Sequence, residues 1–471
     1  MRPSWTRCRR RKRNPARIER ETMRKLFGTD GIRGVAGQYP LDRKTVYAIG
    51  LAVAHSLRKQ HPTPHVLVGM DTRESSSEIA AALTLGLRQG GAEATSAGVI
   101  PTPGVAYLAR IRGFAAGVVI SASHNPWQDN GIKIFGGDGY KLADAVELAI
   151  EDEIFARLSQ TREPEVTSTT PPEVDPTLPA AYIEFLRSQV PGLRLDGKTI
   201  VVDCANGAAS AIAPELLAHF GGDIQLTHTS PNGRNINDQC GALHPEIVAR
   251  EVVTRRADFG MTFDGDADRA MFADEHGKVV NGDGVLLIAA RDLHACDRLK
   301  KNLVVATTMS NMGLEAALRT HDIKMLRAPV GDKYVLEEMQ KTGAVLGGEQ
   351  SGHMLFLDRS TTGDGMLTAL IVLDILQRSG QPLSALTKDL KVFPQVIVNV
   401  RVREKQPLDT LPAVVAAIHD AETELHGNGR VVIRYSGTEA LARVMIEAES
   451  EQAMHHHANR IAEAIRAELG A

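Results

Sequence analysis

At 471 residues the chain is long enough for roughly three or four domains of about 150 residues each. Hydrophobic residues at 43% and charged residues at 24% can fill ordinary globular cores, and the absence of an 18-residue apolar run excludes a membrane-spanning helix. The four cysteines, Cys8, Cys204, Cys240 and Cys296, have neither zinc-site nor disulfide-framework spacing. That pattern points to a reducing, cytoplasmic setting and to oxygen ligands for any metal.

Residues 1–22 carry nine Lys or Arg against two Glu and lack the apolar segment of a signal peptide, so they read as a basic, disordered extension. The favoured expectation is translation from Met23, with the arm as upstream sequence; a nucleic-acid or targeting tail is the alternative. The remaining chain has 45 basic and 55 acidic residues, a formal charge of −10 that disfavours a nucleic-acid surface on the folded body.

From residue 65 onward, predicted strands at 65–70, 116–120, 199–202, 259–263, 303–307 and 344–346 alternate with predicted helices at 78–88, 143–158, 208–220, 245–256, 284–293, 312–319 and 334–341. This alternation predicts an α/β fold with mixed or largely parallel sheets and ligand loops at strand ends. Residues 161–179, rich in Pro, Thr and Glu, read as a surface connection closing a first domain. A second domain closes near 281–284. Beyond Pro394, a strand at 396–400, a helix at 413–425, two strands and a final helix make a compact tail. The expected domains are therefore 23–180, 181–283, 284–393 and 394–471, after the extension 1–22.

Asp264, Asp266 and Asp268 alternate with Gly265 and Ala267 at the end of an apolar strand, just before Arg269. Three carboxylates separated by small residues offer the hard oxygen ligands that Mg²⁺ prefers, and an incomplete ligand set leaves room for a phosphate oxygen. The spacing, with Glu275, also matches positions of a calcium EF-hand. That reading fails because Arg269 stands where the sharp turn needs Gly and the flanks read as strands. A second polar loop, Ser121 to Pro126, follows the strand at 116–120 and is well placed to present a hydroxyl, with Pro126 disfavouring helix at Asn125. No Gly-x-Ser-x-Gly elbow surrounds it, and no nucleotide-binding P-loop occurs in the chain.

Together with these two loops, the runs Gly28-Thr29-Asp30-Gly31-Ile32-Arg33-Gly34, Asp129-Asn130-Gly131-Ile132-Lys133, Gly348-Glu349-Gln350-Ser351-Gly352-His353 and Arg434-Tyr435-Ser436-Gly437-Thr438-Glu439 follow one another in a characteristic order. In that order the chain resembles the α-D-phosphohexomutase superfamily from residue 23 to about 469. The resemblance implies three α/β domains with mixed sheets and a smaller C-terminal α+β domain around a central cleft, each domain contributing one loop.

It further implies that Ser123 is the phosphoserine, and that Asp264, Asp266 and Asp268 bind Mg²⁺ together with a phosphoserine oxygen. Arg269 would steady the phosphate. Arg33 and Lys133 fall where the superfamily places cations near the reacting hydroxyl, and His353 matches a histidine suggested for proton transfer. Glu349 and Ser351 would bond sugar hydroxyls, with Lys333 in a substrate-gripping stretch. Arg434, Ser436, Gly437 and Thr438 would hold the phosphate that is not reacting.

Gln350 and the opening Gly-Thr-Asp-Gly-Ile-Arg-Gly run resemble the glucosamine branch. The implied reaction converts glucosamine 6-phosphate into glucosamine 1-phosphate through a glucosamine 1,6-bisphosphate, feeding amino-sugar nucleotide and peptidoglycan synthesis. Phosphomannomutase or phosphoglucomutase activity is the runner-up, and a non-catalytic sugar-phosphate-binding regulator the third reading. Partners implied by the resemblance are the sugar phosphate, a homodimer mate and, for the first loading of Ser123, an activating kinase or autophosphorylation.

Ala267 and Ala440 depart from the superfamily's usual Gly and Pro, and Lys333 from its usual Arg, which loses the bidentate fork. His455, His456 and His457 are consecutive on a predicted helix, so they diverge and read as a surface cluster. Trp127 reads as packing between domains.

Overall fold

A computed structural model describes residues 26–28, 30–160, 173–425, 429–435 and 440–470. The extension 1–22, residues 161–172 of the connection, and Ser436, Gly437 and Thr438 lie outside the described residues. Among the described residues, no helix is long and apolar enough to cross a membrane.

The first sheet holds β1 (Phe27–Gly28), β2 (Gly31–Val35), β3 (His65–Met70), β4 (Glu93–Val99), β5 (Ala116–Ile120) and β6 (Asp129–Gly136), in the order β1-β2-β6-β5-β3-β4. The second holds β7 (Thr199–Asp203), β8 (Asp223–Thr227), β9 (Phe259–Phe263), β10 (Ala270–Ala273) and β11 (Val279–Val280), in the order β11-β10-β9-β7-β8. The third holds β12 (Leu303–Thr307), β13 (Lys324–Ala328), β14 (Leu346–Gly348) and β15 (Met354–Phe356), in the order β13-β12-β14-β15.

One four-strand pattern recurs in all three. Three parallel strands run with the first in chain order between the second and third, and an antiparallel strand then pairs with the third. In each sheet the turn from the third parallel strand into its antiparallel neighbour is one of the polar loops singled out above. Strands such as β5, β9 and β12 are buried at every position and apolar but for Thr262 and Thr307, because helices cover both faces, the reason they are legible as short continuous runs.

The tail is an antiparallel sheet of β16 (Gln395–Arg401), β17 (Gly429–Tyr435) and β18 (Leu441–Ala448), ordered β16-β18-β17 and covered by helices Pro412–Leu425 and Glu451–Leu469. Its core, including Val400, Ile446 and Ile461, is a cluster of its own. By contrast, one continuous apolar cluster runs from Val105 and Tyr182 through Phe263 and Leu287 to Leu370, packing parts of the first three sheets' layers against one another. The tail is joined to the third sheet's layer by polar bonds. Arg430 donates to the carbonyls of Thr308 (2.8 Å) and Ser310 (3.0 Å) and pairs with buried Glu447. Asn311 bonds both the N–H and the carbonyl of Phe393.

Several elements differ from expectation. The strand predicted at 344–346 lies at Leu346–Gly348: Gly347 and Gly348 look like a turn, yet they pair with Val305 and Ala306, and Met339 occupies the space a side chain on Gly347 would need. The connection ends earlier than predicted, because Thr177–Ser188 is helical and a proline is tolerated in a first helical turn. Helix Gly365–Ser379 escaped prediction since it is buried on most faces and shows no polar stripe. His457 is not part of a surface cluster: it is buried at 2% exposure in the tail core, while His455 and His456 are exposed.

Candidate active site

Ser123 sits directly beyond β5, buried and in the left-handed backbone region at φ 55°. Its hydroxyl donates to Asp264 Oδ2 at 2.6 Å, across to the loop that follows β9. Gly265 permits this approach: a Cβ there would lie 2.5 Å from the Ser123 carbonyl oxygen. His124 Nδ1 is 3.3 Å from Ser123 Oγ, and burial aided by Arg269 and Arg33 lowers its pKa to about 4, so that imidazole is neutral at pH 7.

The carboxylates of Asp264, Asp266 and Asp268 are buried, with one oxygen of each within 4.8 Å of the others. Burial, with the charges of Asp268 and Asp266, pushes the Asp264 carboxyl well above the usual carboxylate range. Against burial, Lys133 and His353 hold Asp268 well below it. Lys133, buried on β6, lies 2.8 Å from Asp266 Oδ2, 3.1 Å from Asp30 Oδ2 and 3.5 Å from Asp268 Oδ2. Those three carboxylates outweigh burial and keep the ammonium charged.

One lysine does not satisfy the acidic set: Asp266 Oδ1 and Asp268 Oδ1 are buried without a hydrogen-bond partner among the described residues. Such orphaned oxygens are costly. A divalent cation with oxygen preference would engage them and relieve the repulsion that raises Asp264, so the residues present fit Mg²⁺.

The loop after β14 brings His353 to the same cluster. Its Nδ1 is 3.5 Å from Asp268 Oδ1 and its Nε2 3.7 Å from Asp332 Oδ2; although burial opposes it, those carboxylates raise the imidazole pKa to about 9. His353 is therefore an imidazolium at pH 7. Arg269 Nε lies 3.8 Å from Asp268 Oδ1. Glu349 accepts from the Gly331 N–H at 2.9 Å, and Ser351 Oγ is 3.4 Å from Glu349 Oε2, so both stand together on the loop. Arg33 is paired with Asp30, which also takes Lys141 at 2.5 Å. Lys141 continues to Asp332 at 2.6 Å, bridging the first and third sheets' layers.

Two expected residues stand apart from this cluster. Lys333 pairs with Asp144 on helix Asp144–Gln160 and lies 3.9 Å from Glu147, an interlayer bridge in this conformation. Arg434 is exposed on β17 and makes no ion pair or hydrogen bond to the cluster among the described residues. Ala267, where the superfamily usually has Gly, is left-handed at φ 53°, a conformation in which an L-residue is strained. Trp127 lies beneath the Arg234 guanidinium at 5.0 Å, and Arg234 pairs with Glu74, so the aromatic ring packs at a layer boundary as expected.

Sequence reasoning missed Asp30, Asp71, Arg73, Lys141, Asn237 and Asp332. A signal existed for two of them: Asp71 and Arg73 are charged residues directly beyond the apolar strand β3, at the end of a parallel sheet where ligand loops gather.

Family models match nearly the whole chain. They are phosphoglucomutase/phosphomannomutase alpha/beta/alpha domain I at residues 24–161, domain II at 180–277, domain III at 281–393, and the C-terminal domain at 397–464. A curated phosphoglucosamine mutase of Koribacter versatilis is 59% identical over 453 residues, covering 95% of this chain and 98% of that protein. Among solved structures, a phosphoglucomutase/phosphomannomutase family protein of Burkholderia thailandensis superposes with TM-score 0.74 at 24% identity, covering 93% of this chain and 97% of that one. The N-acetylphosphoglucosamine mutase of Aspergillus fumigatus, solved with GlcNAc-6P and magnesium, gives 0.62 at 20% identity over 94% and 96%. With all four domain models in order and a 59% identical relative aligned almost end to end, the chain belongs to the phosphoglucomutase/phosphomannomutase family of isomerases, in its phosphoglucosamine mutase branch.

Proposed function

We propose that this isomerase interconverts glucosamine 6-phosphate and glucosamine 1-phosphate in the cytoplasm, with Ser123 as the phosphate carrier and glucosamine 1,6-bisphosphate as the intermediate. The observation that carries the reading is Ser123 Oγ held 2.6 Å from Asp264 within a buried three-carboxylate cluster backed by Lys133. The near end-to-end similarity to phosphoglucosamine mutases supports the choice of sugar.

Phosphoserine 123 donates its phosphoryl group to the free hydroxyl of the sugar 6-phosphate. The Oγ–P bond breaks as the sugar O–P bond forms, the sugar hydroxyl loses its proton, and Ser123 Oγ gains one. Restored to a hydroxyl, Ser123 donates to Asp264 Oδ2, the geometry seen here. The bisphosphate then reorients and returns its other phosphate to Ser123. Transfer through a loose transition state needs positioning and charge neutralisation more than a strong base. Lys133, Arg269 and the His353 imidazolium supply fixed positive charge around the reacting group. Asp264, Asp266 and Asp268 would hold Mg²⁺, which when bound neutralises charge on the transferring phosphoryl oxygens. Glu349 and Ser351 would bond sugar hydroxyls, and Arg434 with Ser436, Gly437 and Thr438 would grip the distal phosphate. The tail's separate core and polar attachment suit a domain that opens for reorientation and closes against water. Ser123 would first be loaded by an activating kinase or by autophosphorylation.

The test is phosphorus NMR of the protein with Mg²⁺, a trace of the matching 1,6-bisphosphate, and glucosamine, glucose or mannose 6-phosphate in separate tubes. Glucosamine 1-phosphate is expected to appear fastest, and Ser123→Ala to abolish exchange while sugar binding persists. Preference for glucose or mannose would reassign the substrate, and full activity of Ser123→Ala would refute the carrier role.

A further inference from the structure

The strained conformation of Ser123 has a built support. A left-handed L-residue is strained and persists only where its surroundings over-determine it. Here they do so from both sides of the residue. The Ser123 N–H donates to Ser121 Oγ at 2.9 Å, and that hydroxyl donates to Asp71 Oδ2 at 2.6 Å. On the other side, the Ser123 carbonyl accepts from Arg73 Nη2 at 2.9 Å and from Asn237 Nδ2 at 3.0 Å.

Arg73 has a side chain with no exposure, and all five of its side-chain N–H groups are engaged. Nε donates to Asp71 Oδ2 at 2.8 Å. Nη2 serves the carbonyls of Ser123 and Asn125 (2.8 Å), and Nη1 those of Pro126 and Asp129 (3.0 Å). Four carbonyls, three in the Ser123 loop and one at the start of β6, thus converge on a single guanidinium, whose rigid fork a lysine does not reproduce. Asn237 reaches the Ser123 and Asn125 carbonyls (3.0 and 3.2 Å) from the second sheet's layer, the layer that also carries Asp264. Neither side chain has a hydrogen bond to Ser123 Oγ or to the Asp cluster among the described residues.

We propose that Arg73 and Asn237 are positioning residues forming a carbonyl clamp on the Ser123 loop, which aims Oγ at the acidic cluster for phosphoryl transfer. The proposal rests on Ser123 being the phosphate carrier. The clamp holds the loop against two layers at once: Arg73 ties it to β3, and Asn237 ties it to the layer of β9. Its loss therefore misaims the nucleophile without touching the sugar-binding loop, so the transfer step suffers and substrate affinity does not.

The experiment uses the full chain with Mg²⁺ and 1,6-bisphosphate, following phosphate arrival on Ser123 by rapid-quench intact mass, alongside steady-state kcat and KM for the sugar 6-phosphate. Arg73→Lys keeps a charge for Asp71 but loses the fork. Asn237→Gly removes the amide yet tolerates the φ of 58° found there. Phosphorylation of Ser123 and kcat are expected to fall about 100-fold in Arg73→Lys and about tenfold in Asn237→Gly, with KM within about threefold of wild type. A wild-type phosphorylation rate in a folded Arg73→Lys overturns the clamp, as does a rise in KM with phosphorylation unaffected. If Arg73→Lys loses its cooperative melt, Asn237→Gly decides: a slowed transfer with unchanged KM supports the clamp, and an unchanged rate overturns it. Wild-type protein that turns over without ever carrying phosphate on Ser123 would instead refute the carrier reading, and the clamp with it.

Discussion

Gly265→Ala tests whether the contact between the two central loops sets the rate. The added Cβ would lie 2.5 Å from the Ser123 carbonyl oxygen, 2.8 Å from Asn237 Nδ2 and 2.9 Å from Ile236 Cδ1. Since unstrained contacts begin near 3.5 Å, the serine loop and the Asp264 loop must separate by about 1 Å. The displaced atom is backbone, so no rotamer change absorbs it. A misplacement of that size costs on the order of 100-fold in kcat, or about 2.7 kcal/mol of transition-state stabilisation. Overpacking should also lower stability by about 1–3 kcal/mol. Gly192→Ala is the control, because a Cβ there meets nothing within 4 Å. Steady-state exchange with saturating sugar phosphate and bisphosphate, with a urea melt on each variant, reads both effects. A folded Gly265→Ala with wild-type kcat would refute the claim that the spacing of these loops governs transfer.

Burial pushes the carboxyl of Asp364, which caps helix Gly365–Ser379 and accepts from Tyr182, up to about 6. The native chain keeps this proton where the unfolded chain, with a pKa of about 3.9, has released it, so stability falls as pH rises through roughly 4 to 6. Asp364→Asn preserves a capping acceptor and should raise the unfolding free energy above pH 6 by up to about 3 kcal/mol, with little effect below pH 4, in urea melts across pH; a pH-independent difference would count against this. Arg430→Met leaves Glu447, 1% exposed, without its cation and cuts two bonds to the third layer, weakening tail attachment by about 3–5 kcal/mol. Faster proteolysis around residue 394 and a larger change in KM than in kcat are expected, and unchanged proteolysis would contradict it. Mg²⁺ at about 100 times its Kd should stabilise the protein by about 2.7 kcal/mol, and Asp268→Asn should shrink that gain; a melting temperature insensitive to Mg²⁺ would remove the metal from the proposed site.

The α/β class was readable from β5, β9 and β12, where burial on both faces makes short, largely apolar runs between turn signals. A cation site at the end of β9 was readable from the alternating aspartates after a buried strand, whereas the role expected of Ser123 beyond β5 came only through the resemblance to the superfamily. Helix Gly365–Ser379 and strand Leu346–Gly348 were not readable. The first is apolar on most faces, and the second depends on Met339 filling space beside a glycine.

What the linear chain determined by itself was which residues could hold a hard cation, Asp264, Asp266 and Asp268, since spacing of two along a short loop brings like groups together locally. Tertiary structure alone decided how they are used. Ser123 and Asp264 are 141 positions apart and meet only because two layers pack side by side with Gly265 between them. Lys333, expected at the substrate, pairs with Asp144 across a layer boundary, and the charge state of His353 depends on Asp268 from the loop after β9 and on Asp332 from the start of helix Asp332–Thr342. Arg73 stands at a strand end in the sequence, yet four of its five donors find partners only once a segment fifty residues later folds over it. Hydrogen bonds and charge interactions act over a few ångströms whatever the separation along the chain, so pairings of this kind become visible only when the layers are assembled.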